Sequence, residues 1–278
     1  MAGKYLKKRP KKKAVDILLT VLAVLFAGAI VLSSVKLVRG RQERELGVAA
    51  YASLAQSVVM PQTPEPPAMQ GDTVQQTEKA HEEATVIDVS RPLTVDLEAL
   101  KAIDPHVVGW IGSDTGAINY PVVQGTDNAY YLNHLIDGTV NSNGSIFMDF
   151  RNGKDLSDRN TFIYGHNMRN GAMFASLVRY AEPGYYEAHP ELLLVTEEGS
   201  FSLQVFAGCV VPGNSDLYQL SFRDDEEYAA YIEKVKLLSD FSADVPVGTE
   251  DRIVTLSTCS YDHEDARYLL FCRLVPMQ

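Results

Sequence analysis

The sequence predicts a mainly β domain, a closed or nearly closed barrel with short helices and one longer inserted helix, standing behind an N-terminal transmembrane helix. Three observations predict it. A run of nineteen uncharged residues, Ile17–Val35, follows a dense basic cluster. A stretch rich in Pro, Gln and Glu then separates this run from the rest of the chain. Beyond it come short β-branched or aromatic segments, interrupted by one clear amphipathic helix.

The apolar run is broken only by Thr20, Ser33 and Ser34. At about 1.5 Å per helical residue it spans roughly 28 Å, close to the hydrocarbon thickness of a bilayer. Lys4, Lys7, Lys8, Arg9, Lys11, Lys12 and Lys13 precede it, a flank that holds residues 1–13 in the cytoplasm and sends the remainder outside. A cleaved signal peptide is the rival reading, since Ala27-Gly28-Ala29 resembles a small-x-small cleavage site. Yet Ile30-Val31-Leu32 follows where a polar mature start belongs, and the run exceeds a signal core of about 7–15 residues. The expectation is an uncleaved anchor over residues 14–35.

Charge divides the 278-residue chain in the same place. Residues 1–44 hold 11 Lys and Arg against Asp16 and Glu43; of the 25 basic and 36 acidic residues overall, 14 and 34 remain, a net of −20. A body that acidic lacks the clustered cations that phosphate binding needs, which excludes nucleic acid as the leading partner. With 46% hydrophobic residues and three Cys, the chain is also neither a disordered nor a disulfide-scaffold protein.

From Lys36 to about Ser57 charges alternate with Leu, Val and Ala, as in a juxtamembrane helix. Met60–Ala84 carries too few large apolar residues to bury a core and is expected to be a tether, so that residues 36–84 link the anchor to a domain over 85–278. Within that domain Leu97–Ile103 reads as a short helix stopped by Pro105, and Ala129–His134 as one or two helical turns. Strands are expected at Val107–Ile111, Asn119–Val123, Ser145–Phe150, Asn160–Tyr164, Leu192–Thr196, Phe201–Val211, Arg252–Cys259 and Arg267–Val275. Glu197-Glu198-Gly199-Ser200 is a hairpin turn. The helix Asp224–Leu238 places Tyr228, Tyr231 or Ile232, and Val235 on one face, with acids in its first turn. Many strands and one inserted helix suit a barrel.

Strand parity sorts the cysteines, because alternate residues face opposite sides. Cys209 falls in one row with Leu203, Val205, Ala207 and Val211, and Cys272 with Leu270 and Leu274. Both read as small buried hydrophobes, with a mutual disulfide as the lesser alternative. Cys259 aligns instead with Thr255 and Ser257, while Val254 and Leu256 take the opposite face. A thiol ending a strand on a polar face is placed for reaction.

A nucleophilic thiolate needs a proton partner and a stabiliser for the oxyanion it creates. His81 lies in the tether; His106, His189 and His263 sit in turns as surface residues; His134 caps a short helix. His166 remains, closing the run Asn160–His166 with Tyr164 on its side and Gly165 allowing close backbone approach. Arg267 begins the last strand eight residues after Cys259, and the short Ser260–Ala266 connection makes the two strands a hairpin that brings Arg267 beside the thiol.

Thr255-Leu256-Ser257-Thr258-Cys259 followed by Arg267, with Asn160–His166 upstream, resembles the signature of the sortases, specifically class B. Tyr164-Gly165-His166, the Gly144–Phe147 run and the helix between Cys209 and the cysteine strand fit that class, and the resemblance covers roughly Val86–Val275. It implies a β-barrel of about eight strands and a catalytic trio of His166, Cys259 and Arg267. It further implies Asn128, Leu132, Tyr164 and Ser257 as lining the groove for a sorting signal. Class B enzymes often carry an acidic residue directly after the cysteine, where this chain has Ser260.

The implied activity is transpeptidation at the outer face of a Gram-positive membrane, without metal or cofactor. Cys259 would attack the carbonyl of a Thr in the C-terminal sorting signal of a secreted protein. The acyl group would then pass to an amine of peptidoglycan or its precursor. A role in pilus assembly is the alternative within the family. A papain-type protease would need its Cys before its His. A non-catalytic wall-binding module leaves the cysteine strand and Arg267 without a purpose.

Overall fold

Short runs rich in β-branched, aromatic and other apolar residues form eight strands: β1 Val107–Ser113, β2 Asn119–Val123, β3 Ile146–Met148, β4 Asn160–Tyr164, β5 Glu191–Thr196, β6 Gly199–Pro212, β7 Ile253–Cys259 and β8 Ala266–Pro276. They close into a barrel in the order β1-β2-β3-β4-β7-β8-β6-β5. The computed structural model describes residues 11–60, 62, 87–260 and 265–277. The tether expected over residues 60–84, apart from Met60 and Gln62, lies outside them, as do His81 and His263.

The helices are α1 Lys11–Val58, α2 Leu97–Ile103, the four-residue α3 Tyr185–Ala188 and α4 Asp225–Leu237. Asp96 and Asp224 cap α2 and α4 by accepting from Ala99 N and Glu227 N, which satisfies amides with no partner inside the helix. Of the turns expected at Ala129–His134 only Tyr130–Leu132 is helical, as a 3-10 turn. A second 3-10 segment, Ala175–Ala181, buries Leu177 and Tyr180 and has no clean apolar period to announce it.

The chain divides into two compact units, Met1–Leu46 and Gly47–Gln278. In the first, the apolar side chains from Ile17 to Val35 are exposed, and the helix is long and apolar enough to cross a membrane. The second begins well before the expected start near Thr85. Tyr51, Ala55 and Val58 at the end of α1 are buried. The Tyr51 hydroxyl lies 2.8 Å from Ser145 Oγ and donates to the Gly144 carbonyl at 3.0 Å. Val59 bridges to Val95, and the Gln62 side chain bonds the backbone of Asp88. The spacing 51, 55, 58 is a helical apolar stripe, and the barrel is what covers it.

Two pairings fix the site. β7 runs parallel to β4, with Phe162 beside Thr255 and Tyr164 beside Ser257, and antiparallel to β8, with Cys259 opposite Arg267. Val254, Leu256, Leu270 and Cys272 point into the barrel interior cluster. The face expected for Cys209 needs correcting. A bulge between Val205 and Ala207 shifts the β6 register against β8, and an inserted residue reverses which side later residues face. Leu203 and Val205 therefore join the interior, whereas Ala207, Cys209 and Val211 pack under α4 with Tyr231, Ile232 and Val235. Cys209 and Cys272 are buried, free and in different clusters.

A protein truncated to begin at Thr85 should be less stable than one beginning at Gly47 by roughly 3–5 kcal/mol, from lost apolar burial and the Tyr51 hydrogen bonds. Urea midpoints of the two would check this; equal midpoints would show that the end of α1 adds nothing.

Candidate active site

At the mouth of the β4–β7 pair, on the face away from the barrel interior, lies a groove of about 410 Å³. Cys259, His166 and Arg267 line it, brought there from three separate strand ends. The four groove residues expected from the sequence, Asn128, Leu132, Tyr164 and Ser257, line it as well.

The His166 backbone is set by Gly165. A Cβ at that position would lie 2.4 Å from Ile146 Cδ1 and 2.8 Å from the Phe174 ring, so only glycine lets the chain pass. Gly165 N donates to the Ser257 carbonyl, continuing the β4–β7 ladder by one residue, and Phe174 N donates to the His166 carbonyl. Asn167 Nδ2 donates to the Cys259 carbonyl at 2.9 Å, tying the end of β7 to the same turn.

Within the site, His166 Nε2 lies 2.7 Å from the Leu132 carbonyl, which can only accept. Nε2 therefore carries the proton and Nδ1 is the nitrogen left for the thiol. The imidazole hydrogen-bonds Cys259, and that contact raises the His166 pKa against the opposing effect of burial, with the Leu132 carbonyl adding to the rise. The same bond holds the Cys259 thiol below its ordinary value, with the Arg267 charge assisting, against burial and the Asp265 carboxylate. Both shifts favour a thiolate–imidazolium pair.

Arg267 is half-buried and held at its outer edge. Nη2 bonds Asp265 Oδ1 at 2.8 Å and Nη1 donates to the Ala266 carbonyl at 3.1 Å. Asp265 adopts φ +60°, and its carboxylate fits only because residue 213 is glycine: a Cβ there would lie 2.6 Å from Oδ2. The guanidinium keeps its remaining donors for the groove.

A satisfied polar network supports the wall. Buried Asn160 accepts from Thr255 Oγ1 at 2.7 Å and donates to the Gln219 carbonyl and Tyr231 hydroxyl. Ser257 Oγ lies 2.9 Å from the Tyr218 hydroxyl, and the Tyr218 ring stacks on Phe162. Sequence reasoning missed Tyr218, Arg151, Phe147 and Thr258, all groove residues. Tyr218 and Arg151 sit in loops with no pattern to mark them, whereas Thr258 was visible inside the cysteine strand. The other described histidines lie elsewhere: His106 beside Tyr131, His134 stacked on Tyr130 as it caps the 3-10 turn, and His189 paired with Asp114. Among the described residues no group of three or more His, Cys, Asp or Glu converges as a metal site.

A strand-end cysteine paired with a histidine and an arginine on a closed eight-stranded barrel defines a cysteine transpeptidase of the sortase type. The sortase domain family matches residues 113–275. Sortase B of Listeria monocytogenes is 34% identical over 197 residues, covering 69% of this chain and 79% of its own. The solved Staphylococcus aureus sortase B–substrate complex superposes with a TM-score of 0.63 at 33% identity, covering 65% of this chain and 85% of that one. Sortase B of Clostridium perfringens gives 0.62 at 31%, covering 65% and 100%. The chain belongs to the sortase family, and its relatives are class B enzymes.

Thiol chemistry should single out Cys259. Burial pushes Cys209 up to about 12 and Cys272 further still, whereas Cys259 is lowered from 9.0. Since the thiolate is the reactive form, alkylation of Cys259 should rise at lower pH than that of Cys209 or Cys272. His166→Ala removes the largest lowering contact, so labelling near pH 6.5 should slow and the labelling profile should move to higher pH. Mass spectrometry of labelled peptides reads both; an unchanged pH profile in His166→Ala would remove the pairing.

Proposed function

We propose that the protein is a membrane-anchored transpeptidase that cleaves a C-terminal sorting signal after Thr and passes the acyl group to an amine of peptidoglycan or its precursor. The observation that carries this reading is the hydrogen-bonded Cys259–His166 pair with Arg267 opposite the thiol, at one end of a groove able to take an extended peptide. Two solved structures support the substrate classes: one is a Staphylococcus aureus sortase B–substrate complex, and one is a sortase B complexed with Gly3.

The geometry supports a double displacement. Cys259 Sγ attacks the Thr carbonyl carbon, and Arg267 donates to the oxyanion through charge-assisted hydrogen bonds. As the C–N bond breaks, the proton on His166 Nδ1 goes to the departing amine, leaving a thioester and a neutral imidazole. An incoming amine attacks that thioester, gives its proton to Nδ1, and the Cys259 thiolate departs as the new amide forms. An amine held in place outcompetes bulk water because attack is then effectively intramolecular. The catalytic roles fall to Cys259, His166 and Arg267, and groove contacts to Asn128, Leu132, Tyr164 and Ser257. The basic segment before α1 keeps the N-terminus in the cytoplasm and the barrel outside.

A peptide of the Asn-Pro-x-Thr type, the class B preference by resemblance, should be cut after Thr, with product moving from acid to hydroxamate as hydroxylamine is added. Cys259→Ala should give no product, and Arg267→Lys about 10²-fold less, since lysine keeps the charge but loses the fork. Cys209→Ala and Cys272→Ala should keep turnover while losing about 1 kcal/mol or more of stability each. Chromatography of the products decides; cleavage surviving in Cys259→Ala would sink the reading.

Orientation has its own check. Protease applied to intact cells should remove the barrel and spare residues 1–13, as immunoblotting against each end would show. Protection of the barrel would reverse the orientation.

A further inference from the structure

Asp149 lies just past β3, and its carboxylate is fully buried. Its two oxygens receive five donors. Oδ1 accepts from Arg151 N at 3.0 Å and Arg151 Nε at 2.9 Å. Oδ2 accepts from Arg151 Nη2 at 2.7 Å, Asn128 Nδ2 at 2.9 Å and the Tyr164 hydroxyl at 2.9 Å. The backbone around it is pinned too: Asp149 N donates to the Phe162 carbonyl, and the Asp149 carbonyl receives Gln124 Nε2 at 2.8 Å.

What distinguishes this carboxylate from an ordinary turn anchor is where its partners lie. Asn128, Arg151 and Tyr164 all line the groove, while Asp149 stays behind them. Each is fixed in one sense. Asn128 spends Nδ2 on Asp149 and Oδ1 on Phe150 N at 3.1 Å, so its amide cannot rotate. Tyr164 donates to Asp149, leaving only its lone pairs for a ligand. Arg151 binds through Nε and Nη2, so both Nη1 protons and one Nη2 proton remain, on a side chain about half exposed. The wall thus offers its strongest donors from Arg151 at zero net charge, in a body carrying −20 outside residues 1–44.

We infer that Asp149 is a positioning residue for the sorting-signal groove, and that by neutralising Arg151 it makes this wall select an uncharged acceptor, a backbone carbonyl or carboxamide, over a carboxylate. The inference rests on the transpeptidase reading above. An uncompensated guanidinium in the same place would favour an acidic side chain. Paired with Asp149 it supplies hydrogen bonds without net attraction, and the acidic surface disfavours an incoming anion.

The test uses the full-length protein in detergent micelles, with hydroxylamine as acceptor. Paired peptides carry Gln or Glu at each of the four positions before the Thr. In the wild type, one position should favour Gln, with KM at least about fivefold lower than for Glu, as expected when one hydrogen bond is gained without charge repulsion. Asp149→Asn should raise KM of that Gln peptide by about tenfold while kcat changes by less than about threefold, because the chemistry at Cys259 is untouched. It should also bring the Gln-to-Glu ratio to one or below, since Arg151 is then uncompensated. If Asp149→Asn fails to fold, Asp149→Asn together with Arg151→Gln replaces the ion pair by a neutral one. That protein should lose the Gln preference without gaining one for Glu. A role confined to stability would lower the yield of active enzyme and leave the ratio where it was, which overturns the proposal alone. A wild type that cuts none of the peptides overturns the transpeptidase reading and this proposal with it.

Discussion

The position of β7 between β4 and β8 is the constraint on which the rest of the site depends. One strand pairs in parallel with β4 on one side and antiparallel with β8 on the other. The parallel pair carries the chain from Tyr164 past Ser257 and on to His166, beside the end of β7. The antiparallel pair sets Arg267 directly across from Cys259. A slip of one residue in either ladder would turn Cys259 into the barrel interior, where Val254 and Leu256 now sit. The buried Asn160–Thr255 bond guards the first register, because a shifted β7 would leave the Asn160 side-chain oxygen without its Thr255 donor at a cost of about 1–3 kcal/mol.

Stability and reactivity are thereby divided between the two faces of the same strand. Inward residues of β4, β7 and β8 belong to the main apolar core; on the outward face Ile253, Leu269 and Phe271 pack in the second core, and the polar Thr255 and Ser257 are satisfied by Asn160 and Tyr218. The bulge in β6 lets α4 take its own small core, with Cys209 and Phe206 beneath it. That second core covers one side of the barrel while the groove opens on the outer face of β4 and β7. A partly covered barrel leaves room for a peptide without exposing its interior.

Much of this was legible in the sequence because it is governed by a period of two. Asn160–Tyr164 and Asn119–Val123 have the bounds expected of them, and the polar row Thr255, Ser257, Cys259 separates the reactive thiol from its neighbours. The Cys259–Arg267 hairpin followed from the shortness of the connection. What escaped was non-periodic or long-range. The bulge between Val205 and Ala207 moves Cys209 out of the row that strict alternation from Leu203 and Val205 predicts for it. The burial of Tyr51 depends on a partner surface around 144–145, and the end of α1 is held by residues 94–96, neither of which the local sequence can name. Tyr218 and Arg151 stand in irregular segments, where a side chain's neighbours are decided entirely by tertiary contacts. Asp149 was hidden for the opposite reason, lying at the end of a recognised strand run with nothing to show that three groove residues would converge on it.

The charges in the groove give the reaction its order. Among the described groove residues there are two guanidinium groups, and each has its own carboxylate: Arg151 with Asp149, Arg267 with Asp265. His166 has none; its partners are a backbone carbonyl and the Cys259 sulfur. Among the described residues, the anion that hydrogen-bonds the imidazolium is the thiolate itself. Once the proposed attack turns that thiolate into a neutral thioether, the negative charge moves to the oxyanion held by Arg267, and the half-buried imidazolium loses the counter-charge it was hydrogen-bonded to. Its acidity rises at the step where the departing amine needs a proton. When the thiolate is released in the second half, the counter-charge returns and the imidazolium is stable again. A carboxylate beside His166 would hold its basicity constant through the cycle and remove this alternation. The arrangement thus accounts for a histidine oriented by a neutral carbonyl rather than by an aspartate.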